Sequence, residues 1–147
     1  MKLDSSTLYQ TCAPVDFANP TQNLRLAQHL IQLMMKENGI GLAANQAGIN
    51  ARLFVMYVDR EIFHCFNPEI IDHSQDTETI DEGCLSFPGQ LCSVQRWVKI
   101  TARYANARGQ LCQREFTGLA ARCFQHEYDH LNGVTMFDKQ AVVSINV

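Results

Sequence analysis

The stretch Gln125-His126-Glu127-Tyr128-Asp129-His130 contains a complete HExxH motif among helix-forming residues. On an α-helix, residues four apart share one face at about 6 Å from each other, so His126 and His130 can bind one metal ion. Glu127 lies beside them, where a carboxylate can take a proton from a metal-bound water. Two histidines leave a catalytic metal one protein ligand short, so the rest of the chain has to supply a third.

A bare HExxH also occurs by chance, in helices whose histidines are ordinary surface or core residues. Two further segments of unusual composition favour the functional interpretation. One places a cysteine among glycines and a proline, at residues 82–89, and the other is rich in small residues, at residues 39–48.

The composition is that of an ordinary globular protein, and we expect a single domain over residues 1–147. The hydrophobic fraction is 46%, the charged fraction 18% and the formal net charge −3, so nothing indicates nucleic-acid binding. No apolar run is long enough to span a bilayer and no signal-peptide core is present, so we expect no membrane binding. The six cysteines are therefore expected to be reduced thiols of a cytoplasmic protein.

Hydrophobic periodicity predicts an α+β chain in which the motif helix packs inside a curved antiparallel sheet. Asn19-Pro20 is typical of a helix N-terminus, and this first helix is expected to stop near Gly39. Its predicted buried face, which includes two adjacent methionines, consists of Leu24, Ala27, Leu30, Ile31, Met34 and Met35.

Two β-hairpins are predicted between the helices. One covers residues 53–66 and turns at Asp59-Arg60, and the other covers residues 97–116 and turns near Gly109. Thr117 is expected to cap the motif helix, and Asn132-Gly133 is expected to end it.

The composition of residues 82–89 predicts a tight loop that holds the thiol of Cys84 in place. A thiolate with two imidazoles is an accepted three-ligand catalytic set that leaves one position open for water. Cys123 lies about 10 Å along the helix from His130, too far to converge on a metal with both histidines. Cys92 stays open as an alternative ligand. The other cysteines lie in or beside apolar stretches and are expected to act as small hydrophobes: Cys12, Cys65 and Cys112.

Residues 39–48 do not form a phosphate-binding loop, because they lack the GK[ST] ending and the dinucleotide glycine spacing. Small residues let the backbone approach a packed element or an extended ligand closely. Gln46 is the one long polar side chain in this segment. It is either a solvated loop residue or an amide donor aimed at a developing oxyanion.

Together the three segments resemble the motifs of the peptide deformylases, in the same order. That family carries GxGLAAxQ, EGCLS and QHExDHL, and the corresponding stretches here are residues 39–46, 82–86 and 125–131. The resemblance extends from the first helix to about Asp138. It implies an α+β fold in which antiparallel sheets surround the central HExxH helix, with another helix near the N-terminus.

The resemblance also implies the activity and the roles of individual residues. The reaction removes the formyl group from N-formylmethionine of nascent polypeptides and releases formate, as a step of N-terminal methionine processing. Glu127 would activate the metal-bound water, and the Gln46 amide and the backbone N–H of Leu85 would stabilise the oxyanion. Asp129 would steady the local structure. Three residues would hold the metal: Cys84, His126 and His130.

Substrate recognition follows from the same resemblance. The nascent peptide would add as a short strand beside the backbone of Ile40 and Gly41. Arg96 would pair with Glu82 and stiffen the Cys84 loop. The alternative is that Arg96 is an ordinary surface residue without such a role. The methionine side chain would enter an apolar pocket with these walls: Ile40, Leu119, Cys123 and His126.

The expected cofactor is one divalent metal ion. The resemblance favours Fe²⁺, and a thiolate–imidazole site also accepts Zn²⁺, Ni²⁺ or Co²⁺. The expected partners are N-formylmethionyl peptides, in the cytoplasm of a bacterium or, for a virally encoded chain, of a bacterial host. Only a short segment follows His130, as in compact viral forms. Contact with the ribosome, which many bacterial members make through a longer C-terminal helix, therefore has little support.

Two alternatives from other classes of protein are weaker. A zinc endopeptidase would share HExxH but take its third ligand from a downstream His or Glu, and neither follows His130. A binding module that had lost its chemistry would lack a ligand or the base. All four of those residues are present: Cys84, His126, Glu127 and His130.

Overall fold

The computed structural model describes residues 1–141. In chain order its elements are helix α1 (Pro20–Lys36), strands β1 (Gly41–Ala43), β2 (Leu53–Val58), β3 (Glu61–His73), β4 (Thr77–Glu82), β5 (Cys92–Trp97), β6 (Lys99–Ala105) and β7 (Leu111–Thr117), and helix α2 (Gly118–Leu131). A 3₁₀ turn over Ala44–Gln46 follows β1 directly. The predicted α+β fold is confirmed.

Helix α1 has the N-terminus that the sequence predicts. The side chain of Asn19 accepts a backbone N–H of the first turn at 3.1 Å. Pro20 is the first residue of the helix, where a backbone N–H has no partner within the helix, so a proline there costs no hydrogen bond. The helix stops before Gly39 because Asn38 takes a left-handed conformation with φ 59°. The Gly39 N–H then donates to the Met34 carbonyl, which closes the C-terminus.

The buried face of α1 is narrower than the apolar pattern predicts. It consists of Ala27, Leu30, Leu33 and Met34, and the helix packs on β1 and β2. Leu24 and Met35 are 41% and 42% exposed, so the expectation that both adjacent methionines fill the core is wrong for Met35. Consecutive helical residues point about 100° apart, so Met35 turns away when Met34 faces the sheet.

Five strands form the larger sheet, in the order β1-β2-β3-β6-β7, and all neighbours in it are antiparallel. The first predicted hairpin is confirmed as β2–β3. Asp59 and Arg60 have φ of 52° and 63° at its turn, the two-residue geometry that suits twisted strands. The second hairpin, β6–β7, turns at Gly109 (φ 84°) but begins at Lys99. Its predicted start at Trp97 is wrong, because Trp97 pairs within β4–β5.

Strands β4 and β5 form a separate two-stranded sheet that the sequence did not predict. Every residue of β4 except Glu82 is exposed, so β4 lacks the alternation of apolar and polar residues that marks a strand. The connection between these strands contains Cys84, and β5 contacts α2. The small sheet therefore holds the Cys84 loop near the motif helix.

Helix α2 lies in the interior and contacts strands of both sheets. Phe124 packs edge-on against Phe54 of β2, with ring centroids 4.9 Å apart, and stacks on Phe116 of β7 at 5.3 Å. Ten of the fourteen residues of α2 are buried. Polar groups among them need partners inside the protein: Arg122, Gln125, His126, Glu127 and His130.

The two ends of α2 differ in how well the sequence predicts them. Thr117 occupies the N-cap position, but its side chain makes no capping hydrogen bond, so that prediction is wrong. The chain leaves β7 at Thr117 and enters the helix through Gly118 with φ 58°, so the helix starts from a strand end rather than a capping turn. The predicted end at Asn132-Gly133 is confirmed, with Gly133 at φ 72°.

The six cysteines are all free thiols. Cys12 and Cys65 are buried, as expected of small hydrophobes, but Cys112 is exposed on β7, so the expectation is wrong there. Strand β7 is the last strand of the larger sheet, and every one of its residues except Phe116 is exposed. Within residues 1–141, no helix combines the length and apolar character that a membrane span requires.

Candidate active site

Helix α2 brings its two histidines together at the side of a cleft. The Nε2 atoms of His126 and His130 lie 3.2 Å apart, which is the convergence that a spacing of four residues allows. His130 is fully buried, and His126 is 9% exposed. The imidazoles therefore face one common point instead of bulk solvent.

The loop after β4 adds a thiol to this point. The Sγ atom of Cys84 lies 3.3 Å from Nε2 of His130. The ligand atoms of Cys84, His126 and His130 all lie within 4.8 Å of one another. Cys92 is not part of this group: it lies in the small core cluster against which Cys84 packs, and its thiol donates to the Met136 carbonyl at 3.3 Å. One soft sulfur and two imidazole nitrogens at this spacing fit a divalent transition-metal ion.

Glu82 links the thiol loop to the histidines. One carboxylate oxygen accepts from His126 Nδ1 at 2.8 Å and from Arg96 at 2.9 Å, and the other accepts from Arg96 and Arg122, each at 2.6 Å. Burial alone raises the pKa of Glu82, but the hydrogen bonds from His126 and Arg96 outweigh it and lower the pKa to about 2. Glu82 is therefore a permanent anion that fixes the His126 ring. The predicted contact of Arg96 with Glu82 is present, and Arg96 also pairs with Asp129 at 2.8 Å.

Glu127 has the opposite environment. It is 4% exposed, and its Oε1 atom has no hydrogen-bond partner among the residues that the structure describes. Burial is the main cause that raises the pKa of this carboxyl to about 7. A buried carboxyl that is poised to gain or lose a proton beside two histidines is typical of a general base.

The side chain of Gln46 is buried, so the solvated-loop interpretation is wrong. Its Oε1 accepts the Ala43 N–H at 2.9 Å, which turns the Nε2 donor toward Ser86 Oγ at 3.0 Å and Cys84 Sγ at 3.5 Å. The amide therefore aims its N–H group at the thiol side of the site.

An open cleft of about 620 Å³ leads to these groups. Leu119 lies at its rim and is 57% exposed, whereas Cys123 is buried at its base, next to Glu127. Strand β1 forms one wall and is also the edge of the larger sheet. All of the predicted substrate-binding residues line the cleft: Ile40, Gly41, Leu119 and Cys123.

Three polar residues of the site were missed by sequence reasoning. Arg122 lies among buried helical positions, one turn before His126. A charged residue at such a position was the one signal in the sequence that could have indicated its role. The Gln125 amide exchanges two hydrogen bonds with the Trp97 backbone and so joins α2 to β5. Asn45, for which no role was predicted, is buried and donates to the His130 carbonyl.

Comparisons with known proteins agree with this arrangement. The family model described as polypeptide deformylase matches residues 1–144. The peptide deformylase of Thermotoga neapolitana is 44% identical over 115 residues, which are 78% of this chain and 70% of the relative. The crystal structure of peptide deformylase from Thermotoga maritima superimposes with a TM-score of 0.89 at 38% identity and covers 96% of both chains.

A viral structure is similar as well. The deformylase of the Vibrio parahaemolyticus bacteriophage VP16T, solved in complex with actinonin, has a TM-score of 0.85 and 33% identity. The match covers 92% of this chain and 99% of the viral one.

Fold and comparisons together define a metal-dependent hydrolase that acts on an amide bond. The chain belongs to the peptide deformylase family. It removes the N-formyl group from nascent peptides, which is the activity of that family. The family membership that the three sequence motifs predict is therefore confirmed.

Proposed function

We propose that Cys84, His126 and His130 hold one divalent metal ion and that the ion is Fe²⁺. The convergence of their ligand atoms within 4.8 Å is the observation that carries this proposal. The same donors accept Zn²⁺, Ni²⁺ or Co²⁺, because a thiolate with two imidazoles suits each of these ions. When bound, such an ion supplies Lewis-acid activation of a water molecule and of the formyl carbonyl.

Glu127 is the general base in this proposal. Its unpartnered Oε1 takes a proton from the attacking water and returns it to the amine nitrogen as the carbon–nitrogen bond breaks. The products are formate and a free N-terminal methionine. The high pKa of Glu127 supports this exchange, because burial brings it to about 7.

Two N–H donors stabilise the negative charge on the formyl oxygen. Gln46 offers Nε2, which its contact with the Ala43 N–H holds in one orientation. Leu85 offers its backbone N–H, which has no acceptor among residues 1–141. Preorganised donors of this kind cost no reorganisation during the reaction.

The formyl peptide binds along β1. Because β1 is an edge strand, its outer side is free to pair with an extended peptide through Ile40 and Gly41. The methionine side chain then fills the cleft between Leu119 at the rim and Cys123 at the base. Glu82 and Arg96 support the site from behind the histidines.

The cellular setting is proposed from the substrate. Formylated nascent chains occur in the bacterial cytoplasm, so we place the enzyme there, or in a bacterial host if the chain is viral. We propose that it acts without direct contact with nucleic acid or membrane.

Formate release from a formyl-Met tripeptide tests the proposal. The protein is prepared anaerobically with its metal content determined, and Glu127→Ala is measured beside it. We expect rapid turnover at about one metal per chain, abolished in the variant while its metal is retained. No turnover by a fully loaded wild-type protein would contradict the proposal, and turnover by loaded Glu127→Ala would contradict the base assignment.

Aerobic and anaerobic storage test the identity of the metal. An iron-loaded sample is expected to lose activity in air, through oxidation of Fe²⁺ or of Cys84. A Ni²⁺-loaded sample contains no Fe²⁺ to oxidise, so it is expected to lose less activity. If the iron-loaded sample kept as much activity after aerobic storage as after anaerobic storage, the result would count against Fe²⁺ as the working ion.

A further inference from the structure

Arg122 is buried on α2, one turn before His126, and neither the motifs nor the reaction gives it a role. We propose that Arg122 is a positioning residue that clamps the β4–β5 hairpin onto α2, and so sets the distance between the Cys84 thiol and the two histidines. This inference rests on the proposed metal centre.

The contacts of Arg122 reach both strands of the hairpin. Its Nη1 donates to Glu82 at 2.6 Å and to the Val94 carbonyl of β5 at 2.9 Å, and its Nη2 donates to the Glu78 carbonyl of β4 at 2.6 Å. A planar guanidinium can serve three acceptors at fixed angles, and an ammonium group cannot reproduce that fork.

These acceptors connect two proposed ligands. Glu82 is two residues before Cys84, at the base of the loop that carries the thiol, and its other oxygen holds the Nδ1 of His126 at 2.8 Å. Arg122 therefore bridges the element that carries the sulfur and the element that carries the imidazoles.

Arg96 makes the complementary bridge. It extends from β5 to Glu82 and to Asp129 on α2, whereas Arg122 extends from α2 to the hairpin. The two arginines balance the charges of Glu82 and Asp129. Without Arg122, Glu82 still pairs with the guanidinium of Arg96. The substitution therefore mainly removes the hydrogen bonds that join α2 to the β4–β5 hairpin.

Arg122 also lines the cleft, which raises a different role, that of a wall for the substrate. The two roles predict different measurements. A positioning residue affects metal affinity and kcat, since it acts through the ligands, whereas a wall of the pocket affects KM and the preference for methionine.

The test compares Arg122→Met and Arg122→Lys with wild type, all as full chains. Affinity for Zn²⁺ is measured by competition with a chelator, and the Co²⁺-loaded proteins give the thiolate-to-metal and d–d absorption bands. We expect Arg122→Met to lower the affinity roughly 10–100-fold, to alter the cobalt spectrum, and to lower kcat at nearly constant KM. Arg122→Lys is expected to recover only a small part of the affinity, because the charge returns without the fork.

Arg114→Met is the matched control, because Arg114 on β7 also pairs with a glutamate, Glu61, but both side chains of that pair are largely exposed, at 44% and 48%. Its metal affinity and kinetics are expected to equal those of wild type. Circular dichroism establishes that each variant is folded, and Arg122→Lys keeps the test open if Arg122→Met does not fold.

Wild-type affinity and cobalt spectrum in a folded Arg122→Met would overturn the proposal, and so would a rise in KM alone. Full recovery in Arg122→Lys would also overturn it, since charge would then suffice. Because metal affinity is read directly, these outcomes are separate from a wild-type protein that binds metal but releases no formate, which would contradict the proposed function.

Discussion

Glu82 and Glu127 are two buried glutamates beside the same histidine, with exposed fractions of 6% and 4%, yet their environments are opposite. Glu82 receives four hydrogen bonds from His126, Arg96 and Arg122, and its pKa falls to about 2. Glu127 has one unpartnered oxygen, and burial raises its pKa to about 7. Burial alone therefore does not decide what a carboxylate does. The number of donors around it separates a fixed orienting anion from a group that can exchange a proton.

The largest effect is expected from removing the exchangeable carboxyl. Glu127→Gln keeps the volume but removes the base, so kcat should fall by roughly 10²–10⁴-fold. Metal content and the free energy of unfolding should stay near wild type or rise, since a buried ionisable group is lost. Formate release, metal analysis and urea unfolding on the same preparation check this. Near-normal turnover would show that another group moves the proton.

Removing the fixed anion, Glu82, should instead lower stability and metal affinity, the two properties that Glu127→Gln leaves near wild type. Glu82→Gln leaves two buried guanidinium groups with too little negative charge, so we expect the free energy of unfolding to fall by about 3–5 kcal/mol. Metal affinity should fall roughly 10–100-fold, because the His126 ring loses its orienting partner. Urea unfolding and chelator competition measure the two losses. If stability and affinity both matched wild type, the contrast between the two glutamates would fail.

The close approach of β1 to Glu127 offers a finer test. A Cβ at Gly41 would lie 2.5 Å from Glu127 Oε2 and 2.8 Å from Cys123 Sγ, so Gly41→Ala must displace both side chains or shift β1 itself. A shift near 1 Å is expected to lower kcat/KM by about 10²-fold. Gly83→Ala is the control glycine, since its nearest contact would be 3.8 Å away. Equal activity of both variants would show that the position of Glu127 is not tightly set.

The smallest effect concerns the end of the motif helix. Asn45→Ala removes the donor to the His130 carbonyl, and we expect the free energy of unfolding to fall by about 1–3 kcal/mol. kcat should change little, because Glu127 and Gln46 keep their contacts. Urea unfolding with parallel kinetics checks this, and a loss of activity without a loss of stability would contradict it.

The sequence predicts most of the elements because their signals are local. Asn19-Pro20 starts α1 and Asp59-Arg60 turns the first hairpin through their own backbone preferences. The spacing of His126 and His130 is likewise a property of one helix. These features require no knowledge of what lies across the fold.

What the sequence did not predict depends on distant partners. Strand β4 is exposed on both faces, so no hydrophobic period marks it. Arg122 and Asn45 act on backbone carbonyls of other segments, and a carbonyl leaves no trace in the residue type that carries it. The orientation of Gln46 likewise depends on the fold around it.

The most direct test of the proposed metal centre compares Cys84→Ser with Cys92→Ser. Both thiols border the same hairpin, but only Cys84 lies with the two histidines. We predict that Cys84→Ser loses bound metal and formate release together, while Cys92→Ser keeps about one metal per chain and full turnover. Retention of tightly bound metal by Cys84→Ser, or its loss from Cys92→Ser alone, would contradict the assignment of the sulfur ligand.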